Sequence, residues 1–380
     1  MRSKKNLCYT RSREVKCIMN NPFENVTILD FTHVYSGPYC TMLFADLGAR
    51  VIKGERPGSG DDTRHYLPFK NDESGYFAYL NRNKESITLD LKSPEGKEIA
   101  LGLMKQSDIV IENFSAGTMK KLGLSYEEAR KVRPDIIYAS ISGFGQTGPL
   151  CHKAAYDNIA QAMGGLLRVT GDPDQAPVKV GVSIADANAG IHAAFCLMAA
   201  LYYREHTGKG QYIDVSMMET TMSVLENFVI QYTLNGVVPE RMGNEHSASA
   251  PFDVYVTKDD YIAVATASNR LFSRMQDAMG LDIMSDPRFA ENTLRRKNYA
   301  ELKPIIEAWM KEHTTADIVA LFDKAGVPAA PLLRIDELVH HPQIRQRGMM
   351  ETQHHPVIGD FEMPGFPAHF SEIQTPVRKA

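Results

Sequence analysis

Few side chains in this sequence stand where they could do chemistry, and most of those are carboxylates. Asp186 lies in Gly181-Val-Ser-Ile-Ala-Asp-Ala-Asn-Ala-Gly190, where an extended stretch passes into a helix of small residues. A carboxylate there sits at a helix N-terminus, where the dipole is expected to lower its pKa and keep it ionised. An ionised, partly dehydrated carboxylate is a nucleophile toward an activated acyl group. On composition alone the same residue reads more simply as an N-cap. Asp157, in Tyr156-Asp-Asn158, carries the same two readings. The loop Gly143-Phe-Gly-Gln-Thr-Gly-Pro149 is rich in the residues that let backbone approach a ligand.

Several chemistries are excluded. Val34-Tyr-Ser-Gly-Pro38 follows the first strand where a dinucleotide fold would place G-x-G-x-x-G. There is no G-x-x-x-x-G-K-[ST], no H-E-x-x-H and no G-x-S-x-G. His340-His341 and His354-His355 are adjacent pairs whose side chains diverge, so they read as surface histidines and no metal site is expected. Five cysteines (Cys8, Cys17, Cys40, Cys151, Cys196), odd in number and without a C-x-x-C pair, argue against a disulfide framework.

The elements that must position these residues alternate. Val26–Thr32 reads as a strand, Tyr39–Leu47 as a helix ended by Gly48, and Arg50–Lys53 as a second strand, a βαβ unit. A helix from Ser93 to Lys105, a strand Asp108–Glu112, a helix over 116–132 and a strand Asp135–Ile141 continue the pattern. A long helix over 186–206, a strand Gln211–Val215 and a helix over 219–234 follow. Such alternation predicts an open, parallel, Rossmann-like α/β sheet with ligand loops at its strand ends. After residue 235 the texture changes to a hairpin (252–256 with 261–265) and helices near 270–280, 300–313 and 315–325. The expected organisation is a disordered extension over 1–18, with Met19 an alternative start, and a large α/β domain over 19–224. A small α+β domain over 225–330 follows, and 331–380, extended and rich in turns, returns to the large domain.

The chain has 380 residues, 43% hydrophobic and 23% charged, with 42 Lys+Arg against 46 Asp+Glu. This is globular composition, and a net charge of −4 gives no broad surface for nucleic acid. The longest apolar run, Ala193–Tyr203, is too short to span a bilayer, so a soluble, cytoplasmic protein with no membrane partner is expected.

Read together, Asp30-Phe-Thr-His-Val, Ser36-Gly-Pro-Tyr-Cys, Ala45-Asp-Leu-Gly-Ala, Glu55-Arg-Pro-Gly-Ser-Gly-Asp-Asp-Thr-Arg64, Asn81-Arg-Asn-Lys, Glu112-Asn-Phe, Ser142-Gly-Phe-Gly and Thr207-Gly-Lys-Gly-Gln resemble the class III CoA-transferases. The resemblance runs in order over about residues 22–375. It implies that Asp186 is the nucleophile, attacking an acyl-CoA thioester and then carrying CoA itself as an aspartyl thioester. It maps CoA contacts onto His33, Tyr35, Ser36, Arg56, Leu89, Lys92, Asn113, Phe114, Lys121 and Tyr156, with Asp157 beside them. Arg56, Lys92 and Lys121 suit the CoA phosphates. His246, Ser247, Ala248 and Ser249 occupy the position of the family's oxyanion loop. CoA and acyl-CoA enter as substrates, no permanently bound cofactor is implied, and an interlocked homodimer is expected.

That loop lacks the run of consecutive glycines of formyl-CoA:oxalate transferases, which favours acetyl or another short acyl donor, with oxalate as acceptor; Tyr35 stands where that subgroup often has Gln, so a reshaped pocket around the acyl end is expected. The family's Gly-x-His element is missing after Pro376, as in a shortened chain. The alternatives within the family are a formyl-CoA:oxalate or carnitine-type transferase and an α-methylacyl-CoA racemase. The racemase branch places His where this chain has Tyr156, a poor base near neutrality.

Overall fold

The computed structural model describes residues 21–377; the expected extension over 1–18 and the alternative start at Met19 lie outside them. The first βαβ unit comprises β1 (Thr27–Asp30), α1 (Ser36–Asp46) and β2 (Arg50–Glu55). β3 (Lys84–Thr88), α2 (Pro94–Gln106), β4 (Ile109–Glu112) and β5 (Ile137–Ser142) follow. Then come α3 (Asp157–Met163), α4 (Ile184–Thr207) and β6 (Tyr212–Ser216). The six strands form one parallel sheet in the order β3-β2-β1-β4-β5-β6. The order reverses between β1 and β4. In open α/β sheets the crevice beyond the strand ends at such a reversal is where ligands bind.

Local sequence explains the elements. β4 and β5 are buried along their whole length, as strands covered on both faces must be. α2 starts where Ser93 accepts the Gly96 N–H at 2.9 Å and Pro94 fills the first turn. α4 is 24 residues long and, by length and composition alone, apolar enough to cross a membrane. Its inner face, including Ala185, Ala189, Ala193, Leu197 and Ala200, belongs instead to the main core with Ile28, Phe44, Ile111 and Ile141. Gly190 is required there, because a Cβ would stand 2.6 Å from the Ser36 carbonyl oxygen of α1.

Three expectations need correction. The helix expected over 116–132 is two, Thr118–Leu122 and Tyr126–Val132, because Gly123 turns left-handed and Ser125 starts a new helix. The helix expected over 219–234 breaks between Met217–Ser223 and Phe228–Asn235, with Glu226 at positive φ. The C-terminal stretch is more regular than expected, with helices Ile335–His340 and Pro342–Gln346 and a hairpin of Met350–His355 and Gly359–Pro364.

A separate core of Tyr255, Ile262, Phe272, Met275, Leu302, Ile306 and Phe322 surrounds a three-stranded sheet of Phe252–Val256, Tyr261–Ala265 and Ala329–Pro331. The C-terminal hairpin packs back near the first βαβ unit. Arg82, wholly buried, pairs with Asp46 at 2.7 Å and donates to the Pro364 carbonyl at 3.0 Å, while Asn71 donates to the Val357 carbonyl. Removing one partner of a buried pair strands the other charge, so Arg82→Met is expected to cost about 3–5 kcal/mol. A lowered urea midpoint, with faster proteolysis within 350–364, is the expected result; unchanged values would show that the pair does not anchor the hairpin.

Candidate active site

Two strand ends build one wall of the crevice. The chain leaving β1 turns through His33, Val34, Tyr35 and Ser36 into α1, with Val34 at φ 66. Asp61 holds that strained residue, accepting the Val34 N–H at 3.2 Å. Asp61 is itself paired with buried Lys53 at 2.8 Å, and Lys53 donates to the Thr32 carbonyl. Asn113, just past β4, joins both sides of the reversal. Its Oδ1 accepts the His33 N–H at 2.9 Å, and its Nδ2 donates to the His33 carbonyl at 2.8 Å and to Ser36 Oγ at 3.3 Å. The His33 ring lies 5.3 Å from that of Phe114, and burial, outweighing Asp61 and Asp62, lowers the imidazole pKa. Glu112 accepts the Phe114 N–H at 2.7 Å, and burial pushes its carboxyl up to about 7.

The opposite wall is the start of α4. Asp186 is not an N-cap: Ser183 holds that position, and Asp186 lies inside the first helical turn. The helix is capped from across the chain by Asp157. Its Oδ1 accepts the N–H groups of Ala185 at 2.9 Å and Asp186 at 3.4 Å. Asp186 is 9% exposed, and among the described residues nothing donates to its carboxylate. The expected depression of its pKa is therefore overturned. Burial first, and the neighbouring Asp157 second, raise it from 3.8 to about 7. The helix N–H groups that would have favoured the anion are spent on Asp157.

The two walls enclose a cleft of about 270 Å³. His33, Tyr35, Ser36, Asn113, Phe114, Tyr156 and Asp186 all line it. Tyr35 stacks on Tyr39 at 5.4 Å and lies 6.3 Å from the Tyr76 ring. Burial raises both the Tyr35 and Tyr76 phenols, and the Asp186 charge adds to this. Asp157 lies behind the wall. Arg56, Leu89, Lys92 and Lys121 do not line the cleft: Arg56 pairs with Asp62, Leu89 is buried in the core, and Lys92, on a turn, and Lys121, in the helix Thr118–Leu122, are exposed beyond the same strand ends. His246–Ser249 is also away from the cleft, with the Ala248 N–H donated to His246 Nδ1 and the Ala248 carbonyl accepting from Asn292.

The structure adds lining residues that sequence reasoning missed: Val34, Ser142, Cys151 and Lys153. Ser142 Oγ is buried without a hydrogen-bond partner. Ser142 borders the glycine-rich loop, which pointed to this region, whereas nothing in the local pattern marked Cys151 or Lys153. Among the described residues no three His, Cys, Asp or Glu side chains converge as a metal site.

The site is thus a buried carboxylate in the cleft at the reversal of a parallel sheet, without the glycine turn of a dinucleotide fold. The chain matches CoA-transferase family III over residues 23–380 and belongs to that family. It is 42% identical over 357 residues to acetyl-CoA:oxalate CoA-transferase of Acetobacter aceti, covering 93% of this chain and 90% of that one. It is 37% identical over 368 residues to succinyl-CoA:glutarate CoA-transferase of Mus musculus, covering 96% and 84%. A CaiB/BaiF family protein from Brucella suis superposes with a TM-score of 0.84 at 35% identity, covering 95% and 96%.

A raised carboxyl pKa has a stability consequence with a definite sign. The unfolded chain ionises Asp186 from its ordinary value of 3.8, while the folded chain resists until about 7, so folding loses stability as pH rises across that window. Asp186→Asn removes the penalty. The variant is expected to be more stable than the parent by roughly 2–4 kcal/mol at pH 8 and nearly equal to it at pH 4. Urea unfolding at both pH values checks this; an equal effect at both would mean that the carboxylate is already solvated.

Proposed function

We propose that this chain transfers CoA from a short acyl-CoA donor to a carboxylic acid through Asp186. One observation carries the reading: a carboxylate at 9% exposure, with no donor among the described residues, on the wall of the cleft at the sheet reversal. An Asp186 oxygen attacks the thioester carbonyl, the C–S bond breaks, and CoA leaves as thiolate from an acyl-aspartyl anhydride. The thiolate then attacks the aspartyl carbonyl, the donor acid departs, and Asp186 holds CoA as a thioester. The acceptor carboxylate attacks that thioester, and the released thiolate takes the new acyl group, restoring Asp186. Each step exchanges one activated acyl bond for another.

Acetyl-CoA and oxalate are the first pair on this reading. They are the substrates named for the Acetobacter aceti relative, and the sequence departs from the formyl-CoA pattern in its oxyanion loop. His33, Tyr35, Ser36, Asn113, Phe114 and Tyr156 hold the pantetheine arm, and Arg56, Lys92 and Lys121, outside the cleft, meet the phosphates. Incubation with acetyl-CoA followed by hydroxylamine is expected to modify the peptide containing Asp186, and Asp186→Ala to abolish exchange with CoA affinity kept within a few-fold. An unmodified peptide, or near-parental exchange by the variant, would end the assignment. A panel of carboxylic acids with acetyl-, succinyl- and formyl-CoA as donors decides the pair.

We also propose a homodimer, acting in the cytoplasm. On the outer face of α4, Phe195 and Tyr202 are 66% and 70% exposed, and Leu234 and Val238, at and just past the end of the helix Phe228–Asn235, are 76% and 64% exposed. Apolar surface on this scale calls for a partner, and His246–Ser249, away from its own cleft, is free to serve a second copy. Sedimentation is expected to give twice the chain mass, and Phe195→Arg with Leu234→Glu to yield monomers; a monomeric parent would refute the dimer.

A further inference from the structure

Gln161 is completely buried on α3, one turn beyond Asp157, yet both ends of its amide are used. Nε2 donates to Asp157 Oδ2 at 2.7 Å and stands 3.5 Å from the Val182 carbonyl oxygen. Oε1 accepts the Val180 N–H at 3.1 Å. One neutral side chain thus ties together the segment leading into α4 and the carboxylate that caps α4. Resting on the reading of Asp186 as nucleophile, we propose that Gln161 is a positioning residue of the transfer reaction. It fixes Asp157 so that this carboxylate both holds the first turn of α4 and keeps its charge beside Asp186.

The choice of residue types supports the proposal. A Ser, Thr or Asn would cap α4 without burying a charge, so a carboxylate is an expensive cap. What it adds is a negative charge next to Asp186, which destabilises the Asp186 anion before it attacks. A Lys or Arg in place of Gln161 would cancel that charge. A neutral amide satisfies the Asp157 oxygen with a hydrogen bond and leaves the charge to act on its neighbour. The other titratable groups around Asp186 are Tyr35 from the β1–α1 turn, Tyr76 from helix Gly75–Leu80, and His33, Cys151, Lys153 and Tyr156 around the cleft. None of them is hydrogen-bonded to Gln161 or Asp157.

The test follows kcat/KM for acetyl-CoA against pH, whose rising limb reports ionisation of Asp186, in Gln161→Met and Gln161→Glu, side chains of similar length. Met leaves Asp157 Oδ2 without its donor, so that carboxylate is no longer fixed beside Asp186 and the limb moves to lower pH. Glu adds a second acid against Asp157, and the limb moves to higher pH. In both variants kcat is expected to fall at least tenfold while CoA affinity stays within threefold. The readout that survives any folding defect is Asp157→Asn, which keeps a capping oxygen and removes the charge. Its limb is expected to shift to lower pH, and adding Gln161→Met is expected to shift it no further. Limbs unmoved in all these variants, with kcat falling only as stability falls, would overturn the proposal. Transfer persisting in Asp186→Ala would instead overturn the assignment of the nucleophile.

Discussion

The organisation of this protein turns on keeping one carboxylate, Asp186, almost out of water with nothing among the described residues donating to it. An isolated anion in such a place is costly, and here a second carboxylate stands beside it. The surrounding architecture supplies the means. α4 buries a face of alanines and a leucine against the sheet and α1, and that apolar packing offsets the penalty of the charged side chain at its first turn. The close approach at Gly190 locks α4 to α1, so Asp186 cannot swing into solvent without separating two packed helices. Asp157 completes the arrangement by consuming the helix N–H groups that would otherwise have stabilised the anion.

The wall formed by the β1–α1 turn is governed by a different balance. Asp30, Lys53, Asp61 and Lys84 are all buried beneath the turn, in two pairs. Burial pulls the Lys84 ammonium down to about 8 even with Asp30 beside it. Such pairs add little net stability compared with an apolar core, because desolvation offsets their attraction. What they contribute is direction. Lys53 points the Thr32 carbonyl, Asp61 holds Val34 in a left-handed conformation, and Asp30 gathers Thr32, Thr41 and Lys84. An apolar core would pack as well but would leave the turn carrying His33, Tyr35 and Ser36 without a fixed backbone.

Much of this was legible in the residues. The β-branched runs, Gly48, Ser93-Pro94 and the hairpin at 252–265 carry strong local signals, and the structure places elements there. Asp186 was legible as a carboxylate near the start of α4, but its place in the cleft and the direction of its pKa were not. The helix-dipole argument treats a terminus in isolation, whereas Asp157, 29 residues earlier, takes up those N–H groups through a tertiary contact. The breaks near Gly123 and Glu226 were hidden by continuous helical periodicity. Lys153 and Cys151 reach the cleft only because the loop after β5 folds across the strand ends, a fact of chain path rather than of composition. His246–Ser249 was placed along the sequence by resemblance alone, and in the single chain it does not line the cleft that holds Asp186.

Burial of Asp186 also bears on how an acid acceptor could approach it. A free carboxylate entering the cleft would meet the Asp186 anion with one ammonium group, Lys153, among the described lining residues to compensate. In the proposed sequence that encounter does not occur, because the acceptor arrives after Asp186 has become a neutral thioester. The penalty that raised its pKa to about 7 is released on acylation, so part of the cost of forming the high-energy aspartyl bond is drawn from the folded ground state. Asp157, engaged by three N–H groups, keeps the first turn of α4 in place around the acylated residue. On the proposed reading the same pair of carboxylates raises the free energy of the Asp186 anion before the first attack, and it does so with the phenols of Tyr35 and Tyr76 held neutral around it.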